Sequence, residues 1–266
     1  MRYDLNGRWC TTILMILFAG GCTLPNARVG LPVQQKIVRD QLVIHSDFHL
    51  PEHHRLVDEL TSQRNDITRT LQIERSQEPI HIYLFKNEEI YHQFMVQTHP
   101  LFPNRRAFFV KDDTGPKVFA FWGSRIGEDL RHEVTHGYLH SVLPNVPLWL
   151  DEGIAEYFEV GRGKGGYNAP HAVHLWNRYE QGIWKPDLAR LESIKSAGDL
   201  NQTDYAESWL LVHFLLTGDN ASQELIHRYL DQLDENSEPE LFLQTIQSAT
   251  PDFETQLLMH LEMMAN

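Results

Sequence analysis

Arg131-His132-Glu133-Val134-Thr135-His136-Gly137 is the stretch on which the reading of this chain turns. The spacing predicts a helix from about Ile126 to Leu143, and residues four apart on a helix sit one above the other on a single face. His132 and His136 can therefore turn both imidazoles towards one metal ion. Zinc accepts neutral imidazole nitrogens in a tetrahedral shell, and a catalytic site keeps one position for water. Glu133, beside the first histidine, is placed to take a proton from that water, so the stretch offers two ligands and a general base. The competing reading is a chance match in a chain with 15 histidines, and a third ligand would decide against it.

His140 does not supply that ligand. It lies two turns beyond His132, about 12 Å along a straight helix axis. The metzincin solution, a helix-breaking glycine and then a third histidine, would need those residues where Leu139 and Val142 stand. His140 is read as a histidine of the helix surface. A better partner lies in Trp149-Leu150-Asp151-Glu152-Gly153-Ile154-Ala155-Glu156-Tyr157. Pro144 and Pro147 end the first helix and permit a turn. Leu148, Trp149, Ile154, Tyr157 and Phe158 then predict an amphipathic second helix. Such a hairpin brings a carboxylate against the two histidines. Glu152 and Glu156 are four apart and share a face, so one can bind the metal while the other holds a histidine by its second N–H. The bland alternative makes Glu152 a charge at a helix N-terminus and Glu156 a solvated one.

His132-Glu133-x-x-His136 together with Trp149-Leu150-Asp151-Glu152-Gly153-x-Ala155-Glu156 resembles the gluzincin zinc metallopeptidases, which include the thermolysin and membrane-alanyl aminopeptidase groups. The nearest likeness is to the small bacterial peptidase-MA-like domains. The resemblance implies that Glu152 is the third zinc ligand and that Glu156 supports a ligand histidine. It covers about 30 residues; the rest of the chain agrees only in general organisation. It also implies a tyrosine or histidine that donates to the oxyanion of a tetrahedral intermediate. Tyr205, opening a helix like the Tyr-x-x-Ser-Trp helix of these relatives, is the candidate, with His213 behind it; a core tyrosine is the alternative. In gluzincins an edge strand just before the metal helix binds substrate backbone, and Ala120, Phe121 and Trp122 match its place. An unpaired edge offers N–H and C=O groups to an extended peptide, but a packed interior strand explains the same aromatic run. The Gly-x-Met-Glu-Asn motif of the aminopeptidase group is missing, which tilts the implied activity towards an endopeptidase.

The 266 residues suffice for one domain or two small lobes around a cleft. A net charge of −13 argues against a nucleic-acid or anionic-membrane surface. The N-terminus reads as targeting: Arg2 and Arg8 precede an apolar run, Ile13 to Ala19, too short to span a bilayer. Ala19-Gly20-Gly21-Cys22 resembles a bacterial lipoprotein signal, although leucine is usual at Ala19. By that resemblance Cys22 becomes the lipidated first residue, and Thr23 after it directs the protein to the outer membrane, facing the periplasm. Of the two cysteines, Cys10 would leave with the signal, so the exported chain would form no internal disulfide.

The expected organisation is a signal over 1–21, a tether over 22–44 and a domain over 45–266. Leu56, Val57, Leu60, Ile67 and Leu71 predict a helix, Ile80 to Phe85 a strand, and Asn87 the cap of another helix. Arg106 to Lys111 and Lys117 to Trp122 flank a turn and predict a hairpin. Gly161 to Gly166 lacks the ending of a phosphate loop and reads as a flexible loop. His171 and His174 are surface or core histidines before they are a second metal site. Tyr205, Trp209, Val212 and Leu216 predict one apolar face of a helix over Asp204 to Leu216, with further helices over Ala221 to Leu233 and Pro251 to Met264. The fold class expected is α+β, with an α+β upper lobe over 45–125, a helical lower lobe over 126–266 and Zn2+ between them, as in thermolysin. The partners expected are a peptide or protein substrate and the membrane through a lipid anchor; no oligomeric state is specified. A non-catalytic zinc lipoprotein acting as a binding platform is the rival, although a structural site closed by four ligands has no use for Glu133.

Overall fold

The structure, a computed structural model, describes residues 28–101, 104–235, 241–242, 246 and 252–265. Runs of β-branched and aromatic residues form five strands: β1 (Gln35–Arg39), β2 (Leu42–Ser46), β3 (Ile80–Phe85), β4 (Ala107–Asp112) and β5 (Gly115–Phe121). They make one sheet in the order β1-β2-β3-β5-β4. β2, β3 and β5 run parallel, and the outer strands β1 and β4 are antiparallel to their neighbours. The register aligns Ile37, Ile44, Ile82, Val118 and Phe109 in one row across all five strands.

Helix α3 (Ile126–His140) packs over β3, β5 and β4, and α1 (Arg55–Leu71) packs against α3. Gln63 of α1 fastens that contact, donating to Arg131 O and Thr135 Oγ1 at 2.8 Å each. On the opposite face α2 (Glu88–Thr98), capped by Asn87, lays Tyr91, Phe94 and Met95 against Phe85 and Phe119. Further helices among the described residues are α4 (Leu148–Glu159), α5 (Ala169–Glu180), α6 (Leu188–Ser193), α7 (Gln202–Thr217), α8 (Asn220–Glu235) and α9 (Phe253–Ala265). α7 touches α4, α5, α8 and α9. Ala206 to Leu216 are all buried, Glu207, Ser208 and His213 among them, so the expected single apolar face is replaced by a helix buried all round, as a central position requires.

Three expectations are corrected here. The tether over 22–44 overlaps β1 and most of β2, which carry the buried Ile37, Leu42, Val43 and Ile44. Five-residue strands on either side of a turn, with Asp40 at φ +47°, are too short to display a period. The second correction concerns Ala120, Phe121 and Trp122. β5 is an interior strand bonded to β3 and β4, and Trp122 N donates to Phe85 O at 2.8 Å. Among the described residues the unpaired edge beside α3 belongs to β4. Third, the glycine loop is not slack where it ends: Trp209 Nε1 donates to Gly166 O at 2.8 Å, and a Cβ on Gly166 would lie 2.0 Å from the Tyr157 ring. Cys22 and the signal over 1–21 lie outside the described residues. Among the described residues no helix is long and apolar enough to cross a membrane.

Candidate metal centre

His132 and His136 project from consecutive turns of α3 towards Glu152 in the first half of α4. The two Nε2 atoms are 3.3 Å apart, and Glu152 Oε2 lies 3.4 Å from His132 Nε2 and 3.7 Å from His136 Nε2. A tetrahedral zinc with bonds of about 2.0–2.1 Å has ligand–ligand edges of about 3.3–3.4 Å. The triangle is therefore the right size for one ion. Among the described residues the buried Glu152 Oε2 has no well-formed hydrogen bond, its neighbours being the two Nε2 atoms themselves, a costly state for a carboxylate oxygen unless a cation is its intended partner. On these two observations the residues fit a zinc ion.

The outer nitrogens of both rings are held. His136 Nδ1 meets Asp151 Oδ1 at 2.8 Å, and His132 Nδ1 meets Glu159 Oε2 at 3.2 Å. Burial would raise both carboxyl pKa values, but His136 and His140 hold Asp151, and His132 holds Glu159, below the ordinary range. An ionised carboxylate only accepts, so each Nδ1 carries a proton, and loss of the other proton from Nε2 would turn a lone pair inwards for a metal. Asp151 Oδ2 also takes His140 Nε2 at 2.9 Å. His140 is thus tied to the centre through Asp151, which corrects its reading as a plain surface histidine. Phe109, last of the five-strand row, stacks on His136 and His140 at 5.7 and 5.5 Å between ring centroids.

Glu156, expected to hold one of these histidines, does not. Its Oε2 pairs with His171 Nε2 at 2.8 Å, because α4 turns it past the centre towards α5. His174 bonds Thr203 Oγ1 at 3.0 Å instead, so His171 and His174 do not converge. Among the described residues two other groups bring potential ligands close, His136-His140-Asp151 and His132-Glu156-Glu159. Each uses the carboxylates that already hold the histidines.

The electrostatics call for positive charge at this point. Burial opposes protonation of both histidines, yet Glu152 and Glu159 push His132 well above its ordinary value, and Asp151 lifts His136 to about 8. Glu133 is raised, chiefly by burial, which moves a carboxylate towards the range useful to a general base. It opens onto a cavity of ≈ 500 Å3 whose walls include Arg105, His132, Glu133, His171 and Tyr205. Tyr205 stands in the first turn of α7, whose start is set by a capping box between Asn201 and Asp204. Its hydroxyl oxygen accepts a hydrogen bond from Arg105. A guanidinium only donates, so the tyrosine O–H is left to donate elsewhere. His213, the alternative donor, bonds His260 at 2.8 Å; burial and that neighbour hold its pKa down to about 4.

Asp151, Glu159, Phe109 and Arg105 were not singled out from the sequence. Glu159 had a signal, since Glu152, Glu156 and Glu159 follow one helix face at spacings of four and three. Asp151 stood inside the quoted motif without a role. Arg105 and Phe109 had none, because their partners are reached only through the sheet.

Residues 129–238 match the model of the family described as "Protein of unknown function (DUF1570)", a span that runs from α3 through α8 and includes every ligand candidate above. Comparison with curated proteins gives no match. Among solved structures the chain is similar to an M1 zinc metallopeptidase mutant from Deinococcus radiodurans, with 14% identity and a TM-score of 0.39, over 88% of this chain and 52% of that one. The chain therefore spans about half the length of that enzyme.

Proposed function

We propose that this protein is a zinc-dependent metallopeptidase, an endopeptidase of the bacterial cell envelope with a gluzincin-like architecture. The observation that carries the reading is the buried triangle of His132 Nε2, His136 Nε2 and Glu152 Oε2, with Glu133 beside it on the cavity wall. Zinc held by these three would polarise a scissile carbonyl and acidify a water. Glu133 takes the water's proton and returns it to the leaving amine. Tyr205 directs its O–H at the oxygen on which negative charge develops, with Arg105 fixing its orientation. Asp151 and Glu159 keep the imidazoles in the ligating tautomer. The free edge of β4, in place of Ala120 to Trp122, receives the extended substrate backbone.

Glu133→Gln tests the enzyme against the platform. It preserves shape but removes the proton acceptor, so turnover of a peptide library should fall about 10²–10⁴-fold with zinc content and melting temperature unchanged. Full complementation of a deletion strain by this variant would favour a binding platform and end the hydrolase reading. The envelope part of the proposal rests on Cys22 as a lipid anchor. Cys22→Ser should release the protein from membranes and abolish palmitate labelling; unchanged membrane association would remove it.

A further inference from the structure

Three arginines line the cavity beside the metal centre, and two are neutralised. Arg106 meets Asp129 at 2.6 Å, and Arg125 pairs with Glu128. Arg105 forms no ion pair among the described residues. It is half-buried, and its hydrogen bond goes to the neutral oxygen of Tyr205, whose ring lies 5.6 Å from the guanidinium carbon. A guanidinium presents five N–H donors in a planar fork, so most of this one's capacity is unspent. Holding a charge partly out of water without an opposite charge is costly.

Glu152 and Glu133 relieve part of that cost through space and hold the Arg105 pKa up, but no carboxylate among the described residues meets the guanidinium as an ion-pair partner. Asp151 is shared by two histidines, Glu156 is taken by His171, and Glu159 is divided between His132 and Asn168. Glu152 belongs to the triangle, and Glu133 is the base. Arg105 also stands two residues before the start of β4, where a peptide laid along that free edge would pass it.

We propose that Arg105 is the receptor for a carboxylate of the substrate, so that the site selects peptides carrying an acidic group close to the bond that is cut. Either an acidic side chain or the C-terminal carboxylate of a short peptide can supply the group, since both fit the guanidinium fork in the same way. The word substrate rests on the metallopeptidase reading, but the recognition itself is a binding property and is tested as one.

The test uses zinc-loaded Glu133→Gln protein, which holds peptides without cutting them. Calorimetry would compare acetyl-trialanine with its C-terminal amide, and a peptide amide bearing a central glutamate with its glutamine isostere. In at least one pair the carboxylate form should bind about 10–100-fold more tightly, the worth of a charge-assisted hydrogen bond, and the pair that responds identifies the source. Adding Arg105→Met should erase the difference, and Arg105→Lys should restore part of it. In the active protein the same preference should appear in KM. If Arg105 served only to orient Tyr205, its loss would lower kcat equally for acidic and neutral peptides. Equal affinities within both pairs, or no binding of any of the four, would overturn the proposal. Turnover of neutral peptides by the wild type would then leave the peptidase reading standing. Carboxylate discrimination without turnover of any peptide would remove that reading and keep this one.

Discussion

Asp151 divides its carboxylate between His136 and His140, at 2.8 and 2.9 Å, and so orients a ligand candidate without itself joining the candidate metal triangle. Outer partners of this kind are typically worth about 10–100-fold in metal affinity. Asp151→Asn should therefore weaken zinc by about that factor in competition with a chelator, and Glu159→Gln should do so comparably through His132. Glu156→Gln should cost least of the three, because its partner is His171. A loss at Glu156 equal to that at Asp151 would mean that the resemblance, and not the geometry, named the supporting carboxylate correctly.

The candidate metal triangle depends on two helix contacts that glycines make possible. A Cβ on Gly137 would lie 2.9 Å from Ile80 Cγ2, so α3 can settle on β3. A Cβ on Gly153 would lie 2.5 Å from Ser208 O and 2.7 Å from Val212 Cγ2, so α4 meets α7 almost backbone to backbone. Gly153 adjoins Glu152, and moving α4 moves the third ligand candidate. Gly153→Ala should cost about 1–3 kcal/mol by overpacking, read as a lower urea midpoint, and should loosen zinc as well. Gly161→Ala, whose Cβ would meet nothing within 4 Å, should stay within about 0.5 kcal/mol of wild type. Equal effects at the two positions would show that close approach is not what Gly153 provides.

At the scale of the whole molecule, the sheet begins well before the boundary expected from sequence. Buried Ile37, Leu42, Val43 and Ile44 all precede residue 45. Burying a side chain of this size is worth about 1.5–3 kcal/mol, against a total stability of about 5–15 kcal/mol. A chain starting at Arg28 should melt cooperatively near the full-length temperature. One starting at His45 should lose cooperative unfolding or aggregate through the exposed edge of β3, as circular dichroism melts and gel filtration would show. A cooperative melt of the shorter chain within a few degrees of the longer would mean that β1 and β2 are dispensable.

The amino-acid sequence by itself specified what is periodic and local. His132 and His136 share a face because they are one helical turn apart; Glu152 follows on a second helix because Pro144 and Pro147 stop the first. The helices around Leu60, Tyr91 and Trp209 were legible for the same reason, as were β3 and the β4–β5 hairpin. Tertiary structure alone decided the rest. Nothing local says that β5 pairs on both sides and leaves the edge to β4, or that strands as short as β1 and β2 complete the sheet. Nor does it say that Arg105 reaches Tyr205 across 100 residues, or that Asp151 and Glu159, with Glu156 between them, hold the histidines. Those outcomes depend on how helices and strands pack against one another, and a carboxylate's role is set by which nitrogen that packing brings within about 3 Å of it.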